Sequence, residues 1–82
     1  MRTVIQKERS EFLALAIGKD NILTDNEDNV SGLKVNDVVV VEETLHGAKT
    51  SRHIILKVEQ VKDTAYDTIY FVHCISAGKS ER

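Results

Sequence analysis

The stretch Leu-Lys-Val-Asn-Asp-Val-Val-Val-Val-Glu-Glu, residues 33–43, predicts a tight turn that leads into the central strand of a small β-barrel. Asn36 and Asp37 are typical turn residues, because their side chains hydrogen-bond nearby backbone and because Asn tolerates left-handed backbone angles. The four valines that follow are β-branched and favour a pleated strand. A short apolar run between turn signals is typical of a strand that is covered on both faces.

The rest of the chain predicts the element order β-α-β-β-β-β. A first strand is expected at residues 2–6, and a helix is expected from residue 7 or 10 to residue 17, with Ser10 as a possible N-cap and Gly18 just after its end. Further strands are predicted at residues 21–24, 38–43, 52–61 and 68–75, with loops at 25–29 and 63–67, a hairpin at Gly47 and a loose tail from residue 76. Because most connections are short, we expect an α+β domain, a small and mostly antiparallel β-barrel with one covering helix.

Apolar side chains recur at regular spacing and predict the core. Phe12, Leu15 and Ala16 share one stripe of the helix. In the last two strands, side chains should alternate between the two faces. Ile54, Leu56 and Val58 share one face of the first of these strands. In the second, one side has Tyr70, Val72 and Cys74 and the other has Ile69, Phe71, His73 and Ile75.

Length and composition predict one globular domain over residues 1–82. Hydrophobic residues make up 41% of the 82, which is enough for one modest core. A single cysteine excludes an internal disulfide. The first residues lack the apolar segment of a signal peptide, and no apolar run approaches the ~20 residues that span a bilayer. We therefore expect a soluble cytoplasmic protein with no membrane partner.

Charge is unevenly distributed along the chain. Residues 20–43 hold seven acidic residues and one lysine, a net charge of −6, whereas residues 46–57 hold three basic residues and no acid. The whole chain carries −2, so its bulk charge does not indicate nucleic-acid binding. The two segments predict either an acidic face beside a basic patch or two ordinary solvated surfaces.

Three motifs follow one another at a recognisable spacing. Phe12, Leu15 and Gly18 form an aromatic-x-x-aliphatic-x-x-Gly pattern, Val-Asn-Asp at residues 35–37 precedes alternating aliphatics, and Gly-Ala-Lys-Thr at residues 47–50 precedes a second aliphatic strand. Their order over nearly the whole chain resembles the small ASCH domains of the PUA-like superfamily. The resemblance implies a PUA-like barrel and the binding of RNA or a modified nucleotide.

The chain differs from the ASCH pattern at the positions of the family's catalytic residues. The family has Lys-Lys-Thr-x-Glu-x-Arg after the helix, and its amidohydrolases for acetylated cytidine use a Lys, a Thr and a Glu. This chain has Asp20 in place of the second Lys, Leu23 in place of the Glu and Asp25 in place of the Arg. Acids in place of cations repel anions. The resemblance therefore implies the fold without the activity, and it gives less support to RNA binding.

Three groups of residues are candidate binding sites, each with ordinary solvation as its alternative. The basic hairpin group, which could grip phosphates while Tyr66 or Tyr70 stacks on bases, consists of Lys49, Arg52, His53 and Lys57. The cleft group after the helix, which could bind a small polar ligand, consists of Lys19, Asp20 and Thr24. The acidic group, which could dock on a basic protein, consists of Asp25, Glu27, Asp28, Glu42 and Glu43.

No pattern in the sequence predicts a metal, a cofactor or a catalytic residue. The spacings of His46, His53, His73 and Cys74 match no closed zinc site. We therefore expect a binding module that is not an enzyme, with RNA or a modified nucleotide as its ligand. The alternative is a small regulatory or phage-type inhibitor that binds a protein partner through its acidic face. A cytidine-derivative amidohydrolase has the least support, because the residues it needs are missing.

Overall fold

Five strands and two helices follow one another in the computed structural model, which describes residues 3–17 and 21–79. The strands are β1 (Thr3–Glu8), β2 (Asn21–Thr24), β3 (Val38–Leu45), β4 (Ala48–Asp63) and β5 (Thr68–Lys79). The helices are α1 (Arg9–Ile17), between β1 and β2, and α2 (Asp25–Asp28), directly after β2. The predictions made at Gly18, Lys19 and Asp20 lie outside the described residues.

The strands form one mixed sheet in the order β1-β3-β4-β5-β2. β1 pairs with β3 in parallel, and the other neighbouring strands are antiparallel. The sheet curls into a half-barrel, and α1 packs against its apolar side. The predicted α+β class and the largely antiparallel sheet are therefore confirmed, with the barrel only half closed.

The predicted turn before β3 forms and is bonded to β4. Asn36 has a left-handed φ of 77°, and the Asp37 amide donates to the Lys34 carbonyl at 2.9 Å. The Asn36 amide donates to the Val58 carbonyl, and the Val58 amide donates to the Asp37 carbonyl, both at 2.8 Å. The turn therefore fixes where β3 starts relative to β4.

β3 is covered on one face, and the prediction of cover on both faces is wrong. Val39 and Val41 are completely buried, whereas Val38 is 41% exposed and Val40 is half-buried. Since α1 lies on one side of the sheet only, the opposite side of β3 has no described helix over it. The four valines are therefore divided between a core face and an outer face.

The core lies between α1 and the sheet. Phe12 and Leu15 are the buried residues of α1, as the helical stripe predicts. The sheet adds Ile5, Leu23, Val39, Val41, Ile54, Leu56, Val58, Tyr70 and Val72, with Cys74 packed against them. The alternation predicted for β4 and β5 is therefore confirmed.

The loop predicted at residues 25–29 is in fact the single-turn helix α2. The Glu27 amide donates to the Thr24 hydroxyl at 3.0 Å, and the Thr24 amide donates to Asp28 Oδ2 at 2.8 Å. Asn29 ends the helix in a left-handed conformation with φ of 56°. Thr24-x-x-Glu27 is a recognisable capping signal, so the sequence did contain a sign of this helix.

Two predicted boundaries also differ from the structure. α1 begins at Arg9, so Ser10 lies inside the helix and is not its cap. β5 continues to Lys79, through residues predicted as a loose tail, because it stays paired with β4 as far as Arg52. Nine residues form the longest helix described, and none of the described helices is long and apolar enough to cross a membrane.

Candidate anion-binding site

The candidate site begins at a bulge in β3. The register between β3 and β4 shifts between Glu42 and Thr44, which breaks the alternation of side chains across the strand. Glu43 and Thr44 are therefore both buried although they are neighbours in the chain. The Glu43 side chain has no exposed surface, so its charge has to be balanced by groups within the fold.

Three side chains donate hydrogen bonds to the Glu43 carboxylate. Arg52 of β4 donates from Nε at 3.0 Å and from Nη2 at 2.7 Å, and Arg9 at the start of α1 donates from Nε at 3.0 Å. The Thr50 hydroxyl donates to the same carboxylate. The Arg52 guanidinium also lies 5.5 Å from the centre of the Phe12 ring, a cation–π contact that joins β4 to α1.

These bonds hold Glu43 in its ionised form. They lower its pKa from 4.5 to about 2, with the hydrogen bonds from Arg52 as the largest cause and the bond from Thr50 as the next. Glu43 in turn raises the pKa of Arg52. A carboxylate with so low a pKa is a weak base near neutral pH. Its chemistry therefore suits holding cations in place better than transferring protons.

Glu43 is expected to make stability depend on pH in the acid range. Because its pKa is lowered on folding, ionised Glu43 stabilises the fold above about pH 4.5, and this contribution is lost as the pH falls towards 2. The melting temperature of Glu43→Gln should therefore fall less steeply than that of the wild type across this window. The pKa of Glu8 is also lowered, mainly by the Thr44 hydroxyl, but Glu8 titrates in both proteins. Thermal unfolding at successive pH values measures the two slopes, and equal slopes would contradict this role of Glu43.

Two adjoining cavities open beside the Glu43 cluster. The first, here called the cationic pocket, has a volume of about 440 Å³ and is lined by Arg9, Leu13, Glu43, Thr50, Arg52 and Lys79. The second, here called the apolar shelf, has a volume of about 290 Å³, and its lining includes Phe12, Leu13, Ile54, Ala77 and Gly78. Leu13, Arg52 and Lys79 line both, so the two adjoin each other. Both are shallow depressions that are open to solvent.

The cationic pocket has a net positive charge. Arg9, Arg52 and Lys79 contribute three positive charges against the one negative charge of Glu43. Arg52 and Lys79 are directly opposite each other on β4 and β5. Both arginine side chains keep exposed surface, 45% for Arg9 and 38% for Arg52, so they can donate to a ligand as well as to Glu43.

The structure does not bring the basic hairpin group together. Lys49 pairs with Glu42 at 3.4 Å, whereas Arg52 points to the Glu43 cluster. Lys57 lies opposite Val38 and is eight positions along β4 from Lys49, a span of roughly 26 Å. His53 lies opposite Gly78 and beside the apolar shelf. Of this group, Arg52 and His53 border the candidate site.

The cleft group has one member within the described part of the chain. Lys19 and Asp20 lie outside it. Thr24 is buried, and its hydroxyl accepts the hydrogen bond that caps α2. The Thr24 side chain therefore has a structural role at the start of α2.

Most carboxylates of the acidic group bind other parts of the fold. Asp25 accepts from the Thr68 amide at 3.1 Å, and Asp28 forms an ion pair with Lys7. Glu42 pairs with Lys49, and Glu27 is exposed. Glu43 is buried, so it does not belong to a surface that a partner could touch.

Sequence reasoning missed several residues of the cationic pocket. Arg9 and Lys79 are not predicted site residues, because the first lies at an uncertain helix start and the second in a predicted tail. Thr50 has no signal beyond its place in the hairpin motif. A basic residue at a strand–helix junction is a weak signal, and nothing in the sequence indicates that Arg9 and Arg52 bind the same carboxylate.

Comparison with known proteins does not identify a family for this chain. No protein-family model matches it, and no curated protein matches it. Among the described residues, no three His, Cys, Asp or Glu side chains lie close enough together to hold a metal ion. The inference about function therefore depends on the chemistry of the cationic pocket and the apolar shelf.

Proposed function

We propose that this chain is a non-catalytic module that binds RNA or a nucleotide, of the PUA-like type that its sequence resembles. One observation carries the proposal: Arg9, Arg52 and Lys79 converge on a single cavity around one buried carboxylate. Guanidinium groups present N–H donors in a planar fork that matches phosphate oxygens. A bound phosphate would therefore meet donors that Glu43 already holds in position.

The apolar shelf favours a nucleotide as the ligand over a phosphate ion that carries no base. It adjoins the cationic pocket and is lined by Leu13, Ile54 and Ala77. The Arg52 guanidinium lies over the buried Phe12 ring and still keeps part of its surface exposed. Proteins that bind single-stranded RNA stack bases on aromatic rings or on arginine planes. Tyr70, a predicted stacking residue, is buried in the core, so Arg52 is the better candidate.

We propose a non-catalytic role because the Glu43 carboxylate is a very weak base. Thr50 donates to Glu43, an arrangement in which a base could activate a hydroxyl. However, a pKa of about 2 makes this carboxylate too weak a base to take the Thr50 proton near neutral pH. The Asp20 and Leu23 substitutions also remove the residues that the resemblance associates with amidohydrolase activity.

Binding of a labelled single-stranded RNA of about eight nucleotides tests the proposal, measured by fluorescence anisotropy at several salt concentrations. With three cations in contact, the slope of log K against log salt should be about −2, at ~0.7 per contact. The double variant Arg9→Gln, Lys79→Gln should weaken binding by roughly tenfold or more, because it removes two charge-assisted contacts. Arg52 is left intact because it donates two hydrogen bonds to the buried Glu43 carboxylate, whereas Arg9 donates one.

The matched control is the double variant Lys49→Gln, Lys57→Gln, which removes the same charge from the basic hairpin group. Its affinity should stay close to that of the wild type. Loss of binding in the control alone would move the site to the hairpin, as the sequence first predicted. Absence of RNA binding by the wild-type chain would contradict the RNA-binding part of the proposal.

A second candidate function, docking of a protein partner on the acidic side, has one specific observation in its favour. Tyr66 is 91% exposed, and Asn26 of α2 donates to its carbonyl at 3.2 Å, so the loop that holds this tyrosine is bonded to the acidic helix α2. Exposed tyrosines are frequent anchors at protein interfaces. This candidate predicts that Glu27→Gln with Tyr66→Ala weakens a complex that the cationic-pocket substitutions leave unchanged.

A further inference from the structure

The cationic pocket has more positive charge than one internal RNA phosphate can balance. Among the described residues that line it, three cations against Glu43 leave a net charge of +2. A phosphodiester carries one negative charge, whereas a phosphate monoester carries about 1.5 to 2 at neutral pH. We propose that the pocket binds a terminal phosphate monoester of a nucleotide or an RNA end, an inference that rests on the proposed function and narrows its ligand.

The pairing of Arg52 with Lys79 is the first structural argument. The two residues are direct partners across β4 and β5, and both line the pocket. Like charges directly opposite each other on neighbouring strands destabilise a sheet. Glu43 compensates Arg52 through two hydrogen bonds, and no ion pair of Lys79 is found within the described residues. A dianion in the pocket would relieve this repulsion.

The positioning of the donors is the second argument. Glu43 binds Arg9 through Nε, and no hydrogen bond from the two terminal nitrogens of that guanidinium to residues 3–17 or 21–79 is found. Arg52 is fixed by Glu43 on one edge and by the Phe12 ring beneath it. Donors that are already oriented lose little conformational entropy on binding. A compact group with three terminal oxygens can therefore accept from several of them at once.

The apolar shelf indicates which chemical group is bonded to the phosphate in the ligand. The shelf and the pocket share Leu13, Arg52 and Lys79, so a group bonded to a phosphate in the pocket would lie next to the shelf. Its apolar lining and the exposed part of Arg52 suit a planar base. The expected ligand is thus a nucleoside monophosphate, either free or at the end of an RNA.

A matched pair of RNAs tests this inference: one sequence synthesised with a terminal 5′-phosphate and with a 5′-hydroxyl. The wild-type chain should bind the phosphorylated RNA roughly tenfold more tightly or better, because a charge-assisted contact contributes about that much. Lys79→Gln should remove most of this difference, whereas Lys57→Gln should retain it. Circular dichroism should confirm that both variants are folded.

Competition with small molecules distinguishes a free nucleotide from an RNA end as the source of the phosphate monoester. If uridine 5′-monophosphate displaces the RNA while uridine does not, the inference is supported for a free nucleotide as well as for an RNA end. Equal affinity for the two RNAs, with no competition by the monophosphate, would overturn the inference and leave RNA binding intact. If neither RNA binds while the monophosphate does, RNA binding fails and the monoester site stands.

Discussion

Replacing Phe12 with alanine should lower the free energy of unfolding by about 3–5 kcal/mol, which is the usual cost of removing a buried aromatic ring. Phe12 is 3% exposed and joins α1 to the core of the half-barrel. Its ring also lies beneath the Arg52 guanidinium. Small domains are typically stable by only about 5–15 kcal/mol, so this one change should remove a large share of the total. Urea denaturation gives the change in midpoint and slope.

Leu13→Ala is the matched control, because Leu13 is the next residue of α1 and is 40% exposed. It should cost less than about 1 kcal/mol, as is usual for exposed positions. If Phe12→Ala unfolds at nearly the wild-type urea concentration, α1 does not pack on the sheet as described.

Val39→Asp should destabilise the chain by about 3–5 kcal/mol, because it places an unpaired charge where no water reaches. Val39 is completely buried in the centre of the sheet, between β1 and β4. As for Phe12→Ala, such a loss removes a large share of the stability of a small domain. A large fall in the urea midpoint is the expected result.

The neighbouring variant Val38→Asp checks the register of β3. Val38 lies on the outer face, directly opposite Lys57 on β4. An opposite charge across the strands offsets part of the lower strand propensity of Asp, so the change should stay within about 1 kcal/mol. Equal effects at both positions would contradict the assignment of Val39 to the core and of Val38 to the surface.

The elements of the fold could be predicted where local signals agree with each other. The Asn36-Asp37 turn, the valine run of β3 and the helical stripe of Phe12 and Leu15 all depend on residues close together in the chain. Their conformations follow from side-chain size and hydrogen bonding over a few residues. The length of β5 could not be predicted this way, because residues 76–79 have little strand preference of their own and are held by pairing with β4.

The site was harder to predict than the fold, since it depends on contacts between residues that are distant in sequence. Strict alternation along β3 places Glu43 on the core face with Val39 and Val41. The bulge adds Thr44 to the buried residues, and no local residue signals it. Arg52 was a candidate from its charge, but its pairing with Glu43 and its position opposite Lys79 depend on contacts that are distant in sequence.

An NMR titration tests most directly the claim that the Glu43-centred cationic pocket is the ligand site. Backbone amide signals of the isotopically labelled full chain would be followed while uridine 5′-monophosphate is added, with uridine as the control. The account predicts saturable shifts at Arg9, Thr50, Arg52 and Lys79 with the monophosphate, and much smaller shifts with uridine. Shifts confined to Lys49 and Lys57, or no saturable shift at any residue, would contradict it.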